Sequence, residues 1–221
     1  MFDGTFKQII SRRRKRIALR INDEGLLEVH TPAFISEKQI REVLAANPLP
    51  VEELFRAFTR RPPVRRTFTQ GEKFPFMGRE LTLRFTARLT LITENELLLP
   101  AAPPEELPHA AERLFKRTAL PLLKERCRQL GAPHGLLPRS VGITNAKTRW
   151  GSCSSLKHIS FCWKIVLLPR ELADYIICHE LAHLRHLDHS PAFWALTETL
   201  CPDAIAKRKK LKELPELWAT P

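Results

Sequence analysis

The most informative segment of this 221-residue sequence is His179-Glu180-Leu181-Ala182-His183, an H-E-x-x-H pattern. Residues four apart lie on the same face of an α-helix, so His179 and His183 can each direct an imidazole nitrogen at one cation. Glu180 projects beside them, where its carboxylate can accept a proton from a water molecule bound to that cation. The pattern therefore predicts a metal-assisted hydrolytic site on a helix.

The flanking sequence favours a helix around this pattern. Ile176 and Ile177 supply apolar residues at helical spacing, Pro169 stands at the expected start, and neither Gly nor Pro interrupts the segment before His186. We therefore expect a helix over about residues 170–186.

A third metal ligand is expected among the nearby histidines or carboxylates. His189 lies where the helix should break before Pro191, so its ring could fold back onto the cation. His186 is the alternative, but it would lie about 10 Å along the axis from His179 on a straight helix. Three ligands in such a row cannot surround one cation. The sequence favours His189, with Glu198 as a weaker candidate.

Length and composition indicate that a metal would serve chemistry rather than folding. Of the residues, 43% are hydrophobic and 27% are charged, which excludes a disordered tail protein and a collagen-like chain. A chain of this size buries roughly 70% of its unfolded surface without a structural metal. The five cysteines include no C-x-x-C pair, so we expect them to be reduced and to form no zinc site of their own.

The net charge of +12 makes a polyanionic partner worth testing. Basic residues cluster at Arg12 to Arg16, Arg60 to Arg66 and Lys207 to Lys210. Nucleic acid is thus a candidate partner, although runs of charge most often lie on solvated faces. No apolar run is long enough for a membrane span, and the N-terminus does not resemble a signal peptide. We expect a cytoplasmic protein without a membrane partner, and the sequence leaves its oligomeric state open.

The pattern of elements predicts an α+β fold with a β-rich N-terminal part over residues 1–100. We expect a hairpin between Ile17 and Val29, a capped helix from Ser36 to Asn47, and a loop from Arg60 to Arg66. Further strands are predicted around residues 81–85, 89–91 and 97–99. The proline-rich segment Pro100 to Pro104 is the candidate boundary with a second domain over residues 101–221.

The second part alternates long helical and short strand-like segments. A helix is expected from about Glu105 to Leu130, with Pro121 as a kink. Strands are predicted over residues 141–144, 148–152 and 159–168. Helices are predicted over residues 170–186, 191–200 and 204–211.

Several motifs of this part resemble the YgjP-like predicted metal-dependent hydrolases, which are related to the SprT-like zincin proteases. The motifs are Thr148-Arg149-Trp150-Gly151-Ser152-Cys153, Asp174-Tyr175, His179 to His183 and His189-Ser190-Pro191 followed by Phe193-Trp194. The resemblance implies a zincin-like catalytic unit with the H-E-x-x-H helix packed on a small sheet. It also implies one zinc ion held by His179, His183 and His189, with Glu180 as the catalytic base.

Other residues near the motif are candidates for contacts with a substrate or with the ligands. Tyr175 or Arg149 could stabilise an oxyanion, although a packing role is the simpler account of Tyr175. The segment that holds Arg149, Trp150 and Ser152 could be an edge strand lining a cleft, or an interior hairpin anchored by Trp150. Asp188 could orient a ligand histidine, or be an exposed loop carboxylate. His186 is expected beside the site.

Three functions are compatible with these features. The first is a zinc-dependent metallopeptidase that cleaves proteins or peptides. The second is a nucleic-acid-associated protein or DNA-directed protease, in which the basic surface recruits the partner. The third is a zinc hydrolase of a non-peptide amide. The complete set of ligands and base favours the first.

Overall fold

Two separate apolar cores organise the residues that the computed structural model describes, which are 4–22, 24–60, 66–146 and 148–214. The chain divides between residues 65 and 66 into an N-terminal and a C-terminal unit. Each unit has its own sheets, helices and core. Within the described residues, no helix has the length and apolar character that a membrane span requires.

The N-terminal unit combines a three-stranded sheet with two helices. Its elements are β1 (Phe6–Ile10), β2 (Ala18–Ile21), β3 (Leu27–Thr31), α1 (Glu37–Ala46) and α2 (Pro48–Arg60). The strand order is β1-β3-β2, and β2 pairs with β3 as the predicted antiparallel hairpin. The predicted capping box is present, because the Ser36 side chain accepts from the backbone of Gln39 and the Gln39 side chain accepts from the backbone of Ser36.

Helix α2 and strand β1 were not predicted from the sequence. Pro48 and Pro50 both lie in the first turn of α2, where an intrahelical N–H donor is not needed. Strand β1 pairs in parallel with β3, which is a contact between distant segments. The loop predicted at Arg60 to Arg66 falls largely on residues 61–65, which lie outside the described part of the chain.

The C-terminal unit contains two sheets and four α-helices within its described residues. Its strands are β4 (Lys73–Phe76), β5 (Arg79–Thr86), β6 (Leu91–Ile92), β7 (Glu96–Pro100), β8 (Ser140–Thr144), β9 (Gly151–Cys153) and β10 (His158–Cys162). Its helices are α3 (Leu107–Gly131), α4 (Arg170–Ala182), α5 (Pro191–Leu200) and α6 (Ala204–Glu213), with short 3-10 helices at Ala132–His134 and Trp163–Leu167. The strand orders are β4-β5-β7-β6 and β8-β10-β9.

The proline-rich segment at residue 100 does not separate the two compact units. Leu83 and Leu99 of the four-stranded sheet belong to the same buried core as Phe115 and Leu123 of α3. The division at residue 65 instead of residue 100 follows from this shared core, because strands β4 to β7 bury their apolar face with α3. The mixed α and β content agrees with the predicted fold class.

Helix α4 lies at the centre of the C-terminal unit and is largely buried. It contacts α3, α5, α6 and β9. The helix begins where predicted but ends at Ala182, because the next turn tightens: Leu184 N–H and Arg185 N–H donate to carbonyl oxygens three residues back, at 3.0 and 3.1 Å. His183 is therefore the first residue after the helix, and His186 lies beyond its end.

An ion pair joins α3 to α4. The Arg126 guanidinium donates to both carboxylate oxygens of Asp174 at 2.7 Å, and the two side chains are only 20% and 17% exposed. A bidentate pair of this kind fixes orientation as well as distance. It therefore constrains the helix that carries the H-E-x-x-H pattern.

Replacing Asp174→Ala should lower the free energy of unfolding by about 1–3 kcal/mol, because a charge-assisted hydrogen bond is lost and Arg126 stays partly buried without its partner. Urea denaturation of purified protein measures the change. Glu125→Ala is the control, since its pair with Arg128 also lies on α3 but is exposed. If both substitutions lowered the free energy of unfolding equally, the Arg126–Asp174 pair would not be what constrains α4.

Candidate metal centre

Three imidazoles converge in the C-terminal unit. One nitrogen each from His179, His183 and His189 lies within 4.8 Å of the other two. The Nε2 atoms of His179 and His189 are 3.2 Å apart. Two nitrogen ligands of one tetrahedral zinc ion, each at 2.0–2.1 Å, would be about 3.3 Å apart. The separation therefore suits two ligands that share one cation.

Local sequence explains how three positions in the chain reach one point. His179 lies in the last turn of α4, and His183 is the residue that follows the helix. His189 immediately precedes Ser190, whose Oγ caps α5 by accepting from Phe193 N–H at 3.4 Å. Helix α5 spans Pro191–Leu200, as predicted. The turn between the two helices thus returns the chain so that His189 faces His179.

The side chains of the two alternative third ligands, His186 and Glu198, lie outside the group of converging ligand atoms found among the described residues. The His186 carbonyl oxygen is 2.9 Å from His183 Nδ1. A carbonyl accepts, so the proton is on Nδ1 and the Nε2 lone pair of His183 is free to bind a metal. The Glu198 carboxylate accepts from the backbone N–H groups of Asp203 and Ala204 at 2.6 and 3.0 Å, at the start of α6. The geometry therefore favours His189 among the candidates.

Phe193 holds the three rings together. Its side chain is fully buried, and its ring centroid lies 4.9, 4.5 and 4.8 Å from those of His179, His183 and His189. Trp194 extends the cluster, with its ring 5.9 Å from those of His179 and His189. These aromatic contacts restrict the rotation of the imidazoles.

Glu180 lies beside the imidazoles in a buried environment. Only 5% of the residue is exposed, and its Oε2 atom has no hydrogen-bond partner among the described residues. Burial raises the pKa of Glu180 to about 7, against the smaller opposing effect of the positive charge on Arg149. The carboxyl group can therefore both accept and release a proton near neutral pH.

Gly151 on β9 forms the wall against Glu180; it lies in the segment that was expected to line the cleft, but it was not among the predicted site residues. A Cβ atom at this position would lie 2.6 Å from Glu180 Oε1 and 2.7 Å from its Cγ. Only a residue without a side chain leaves space for the carboxylate here. The available signal was a glycine inside a segment with strand character, which often marks a close approach of another group.

The electrostatics of the imidazoles suit metal binding. Burial, together with the smaller effects of His183, His189 and Arg208, lowers the pKa of His179 to about 3. Burial also lowers the pKa of His183. Both rings are thus neutral at pH 7, which is the form that binds a metal. Together with the buried Oε2 of Glu180, which has no partner among the described residues, this donor set fits a divalent cation.

A cleft of about 500 Å³ opens onto His179, Glu180 and His189. Three of the residues that the sequence placed near the site line it, namely Arg149, Trp150 and Tyr175. The other lining residues are Gly151, Ile176, Arg208, Leu211, Lys212 and Leu214, of which the sequence analysis had selected none for the site. Helix α6 thus forms part of the cleft, which no short motif in its sequence indicated.

The remaining predicted residues lie outside the lining of this cleft. Ser152 pairs with Ser160 in the β9–β10 ladder. His186 orients His183 through its backbone, as described above. Asp188 accepts from Ser190 N–H at 3.2 Å and is an exposed turn residue, which is the simpler of the two accounts given for it.

A comparison with known protein families supports a metallopeptidase domain in this chain. A family model described as YgjP-like, metallopeptidase domain matches residues 15–214. No curated protein matches the chain significantly. Among solved structures, the chain is similar to the metallopeptidase zymogen of Pyrococcus abyssi abylysin, with 24% identity over 41% of this chain and 92% of that chain. The TM-score of 0.38 is too low for that likeness to carry an argument.

Zinc content of purified variants should separate the ligands from their neighbours. We expect His183→Ala and His189→Ala to lose most of the bound metal, because each removes one of the converging nitrogens. His186→Ala should keep it, because only the backbone carbonyl of that residue contacts His183. Elemental analysis after dialysis gives the stoichiometry. Retention of metal by His189→Ala, with loss in His186→Ala, would reverse the choice of the third ligand.

Proposed function

Because this chain belongs to the YgjP-like metallopeptidase family, we propose that it is a zinc-dependent endopeptidase in which His179, His183 and His189 hold one zinc ion. In this proposal Glu180 is the general base. The observation that carries it is the convergence of three imidazoles and one buried carboxyl group on an open cleft. The metal-dependent peptidase class follows from the family, whereas the ion, the residue roles and the endopeptidase activity are the proposal.

The choice of zinc rests on the chemistry of the donors. Imidazole nitrogens suit zinc and its neighbouring transition metals, whereas magnesium and calcium sites are built from oxygen ligands. A zinc ion bound by three neutral imidazoles would supply a Lewis acid for the substrate carbonyl and lower the pKa of a water molecule towards 7. The open cleft leaves room for a water molecule and a substrate beside the three histidines.

Glu180 has the position and the protonation behaviour of a general base. Its Oε2 atom has no hydrogen-bond partner in the described part of the chain, so it can take a proton from the attacking water molecule. The protonated carboxyl group can then give that proton to the leaving amine. A pKa of about 7 allows both transfers without a large energetic cost. Burial keeps competing water away from the group.

An extended peptide could bind along β9. This strand lies at the edge of its sheet and pairs with β10 on one side only in the described ladder. Backbone hydrogen bonds to a free edge would hold a peptide irrespective of its sequence. Gly151 of β9 contacts Glu180, so a peptide on this edge passes beside the proposed base. We propose that the packing of helix α4 against this small sheet is a zincin-like arrangement.

Partners and location belong to the same proposal. We propose a protein or peptide substrate and a cytoplasmic location. Of the basic clusters, Arg12 to Arg16 belongs to the N-terminal unit and Lys207 to Lys210 to α6 of the C-terminal unit. No observation favours nucleic acid or a non-peptide amide over a peptide in the cleft, so these alternatives are outcomes of the assay.

Glu180→Gln should keep zinc and lose hydrolysis by about 10²–10⁴-fold, because the amide cannot accept the proton. Casein cleavage is measured with and without a chelator and with and without DNA, next to zinc content. Glu171→Gln is the matched control, since Glu171 lies on the same helix but pairs with Lys210 at the surface. Normal cleavage by the Glu180 variant would rule out the general-base role.

Gly151→Ala should lower cleavage strongly while the protein stays folded and keeps its metal, because the new methyl group displaces the Glu180 carboxylate. Gly142→Ala on β8 is the control, since its Cβ would meet only Ser160 Oγ at 3.7 Å, an ordinary contact. The readouts are casein cleavage, circular dichroism and zinc content. Full activity in the Gly151 variant would show that the contact does not position the base.

A further inference from the structure

The proposed catalytic cleft is lined by three cationic side chains. Arg149 lies in the segment before β9, and Arg208 and Lys212 lie on α6. All three residues are exposed. The acidic residue among the lining residues is Glu180, which is buried, whereas the three cations are exposed. The mouth of the cleft is therefore strongly positive.

Arg208 is held close to the imidazoles. Its guanidinium lies over the ring of Trp194, 5.0 Å from the centroid, and that ring is 5.9 Å from those of His179 and His189. Stacking on an aromatic ring leaves the guanidinium N–H groups free to donate. Lys212 is four residues further along α6 and shares the same face of the helix. The two charges thus follow one wall of the cleft.

Arg208 and Lys212 have no carboxylate partner among the residues that the structure describes, and Arg149 acts on the buried Glu180 without forming an ion pair with it. Arg149, Arg208 and Lys212 form no ion pair there, whereas Lys210 on the same helix pairs with Glu171 at 3.4 Å. Uncompensated charges of one sign in a concave site attract ligands of the opposite sign. The cleft is therefore complementary to an anionic group.

We infer that the cleft selects peptides that present a carboxylate to Arg208, Lys212 and Arg149. This inference rests on the proposed function, because it names the substrate class of the same site. The carboxylate could come from an Asp or Glu side chain near the cleaved bond or from a free C-terminus. An Arg fork binds either group through two parallel hydrogen bonds.

A peptide fits the cleft better than a nucleic acid does. Binding of a phosphate backbone needs a track of cations along the strand, often with exposed aromatic rings on which bases stack. Here the cations surround one pocket next to the hydrolytic residues. Leu211 and Leu214 add apolar surface between and beyond them, which suits the side chains that flank an acidic residue.

Binding is tested first, with the zinc-loaded Glu180→Gln variant, so that the result does not depend on turnover. The probes are short fluorescein-labelled peptides with Glu, Ala or Lys at a central position, each with a free or an amidated C-terminus, and a single-stranded oligonucleotide. Fluorescence anisotropy should show about tenfold tighter binding of a carboxylate-bearing peptide than of the amidated Ala peptide, weakening with added salt. Comparison of the free and amidated forms distinguishes the two sources of the carboxylate.

Single substitutions in the same background test the residues. Arg208→Gln, Lys212→Gln and Arg149→Gln should each reduce the preference for the carboxylate by about twofold to threefold. Lys209→Gln is the matched control, because it removes the same charge from α6 at a residue outside the cleft lining. It should leave the preference unchanged. Zinc content and circular dichroism confirm that each variant is folded and loaded.

Equal binding of the amidated Glu, Ala and Lys peptides, together with no gain from a free C-terminus, would overturn the inference, as would an equal loss in the Lys209 control. Tighter binding of the oligonucleotide, dependent on the same three cations, would assign the surface to nucleic acid instead. Cleavage of the same peptides by the wild-type protein is measured separately. Absence of zinc-dependent cleavage with a retained carboxylate preference would refute the peptidase while leaving this inference standing.

Discussion

The burial of α4 is the constraint on which the rest of the C-terminal unit depends. Ile177 and Leu181 are completely buried in the main core, yet the same two turns of helix carry His179 and Glu180. A buried polar group without a partner costs about 1–3 kcal/mol. His179 Nδ1 and Glu180 Oε2 are both in that state. The apolar core around α4 offsets this cost. It holds His179 and Glu180 in a buried position, whereas water would surround both side chains on a surface helix.

The same burial shifts the pKa values of His179 and Glu180 in opposite directions. It lowers the pKa of His179 to about 3 and raises that of Glu180 to about 7, because low polarity disfavours the charged form of each. The imidazole is therefore unprotonated and able to bind a cation, while the carboxyl group is able to exchange a proton at neutral pH. One physical cause thus prepares both the proposed ligand and the proposed base.

The walls of the cleft come from segments that are far apart in the sequence. On one side Gly151 of β9 fits against Glu180, and only the absence of a side chain allows that contact. On another, Phe193 packs on the three imidazoles and Trp194 supports Arg208 of α6. The arrangement couples the metal site to the cationic surface. Substrate preference and ligand geometry would therefore depend on the same aromatic cluster.

The sequence by itself determined the helix of the H-E-x-x-H pattern, the start of α5 at Pro191 and hence the turn that returns His189 to His179. These features depend on helical periodicity, capping and proline, which act over a few residues. Only the tertiary structure decided that Gly151 contacts Glu180, that α6 brings Arg208 and Lys212 to the cleft, and that β4 to β7 share the core of the later helices. Such contacts join residues many positions apart, so they depend on the path of the whole chain, which no local pattern encodes.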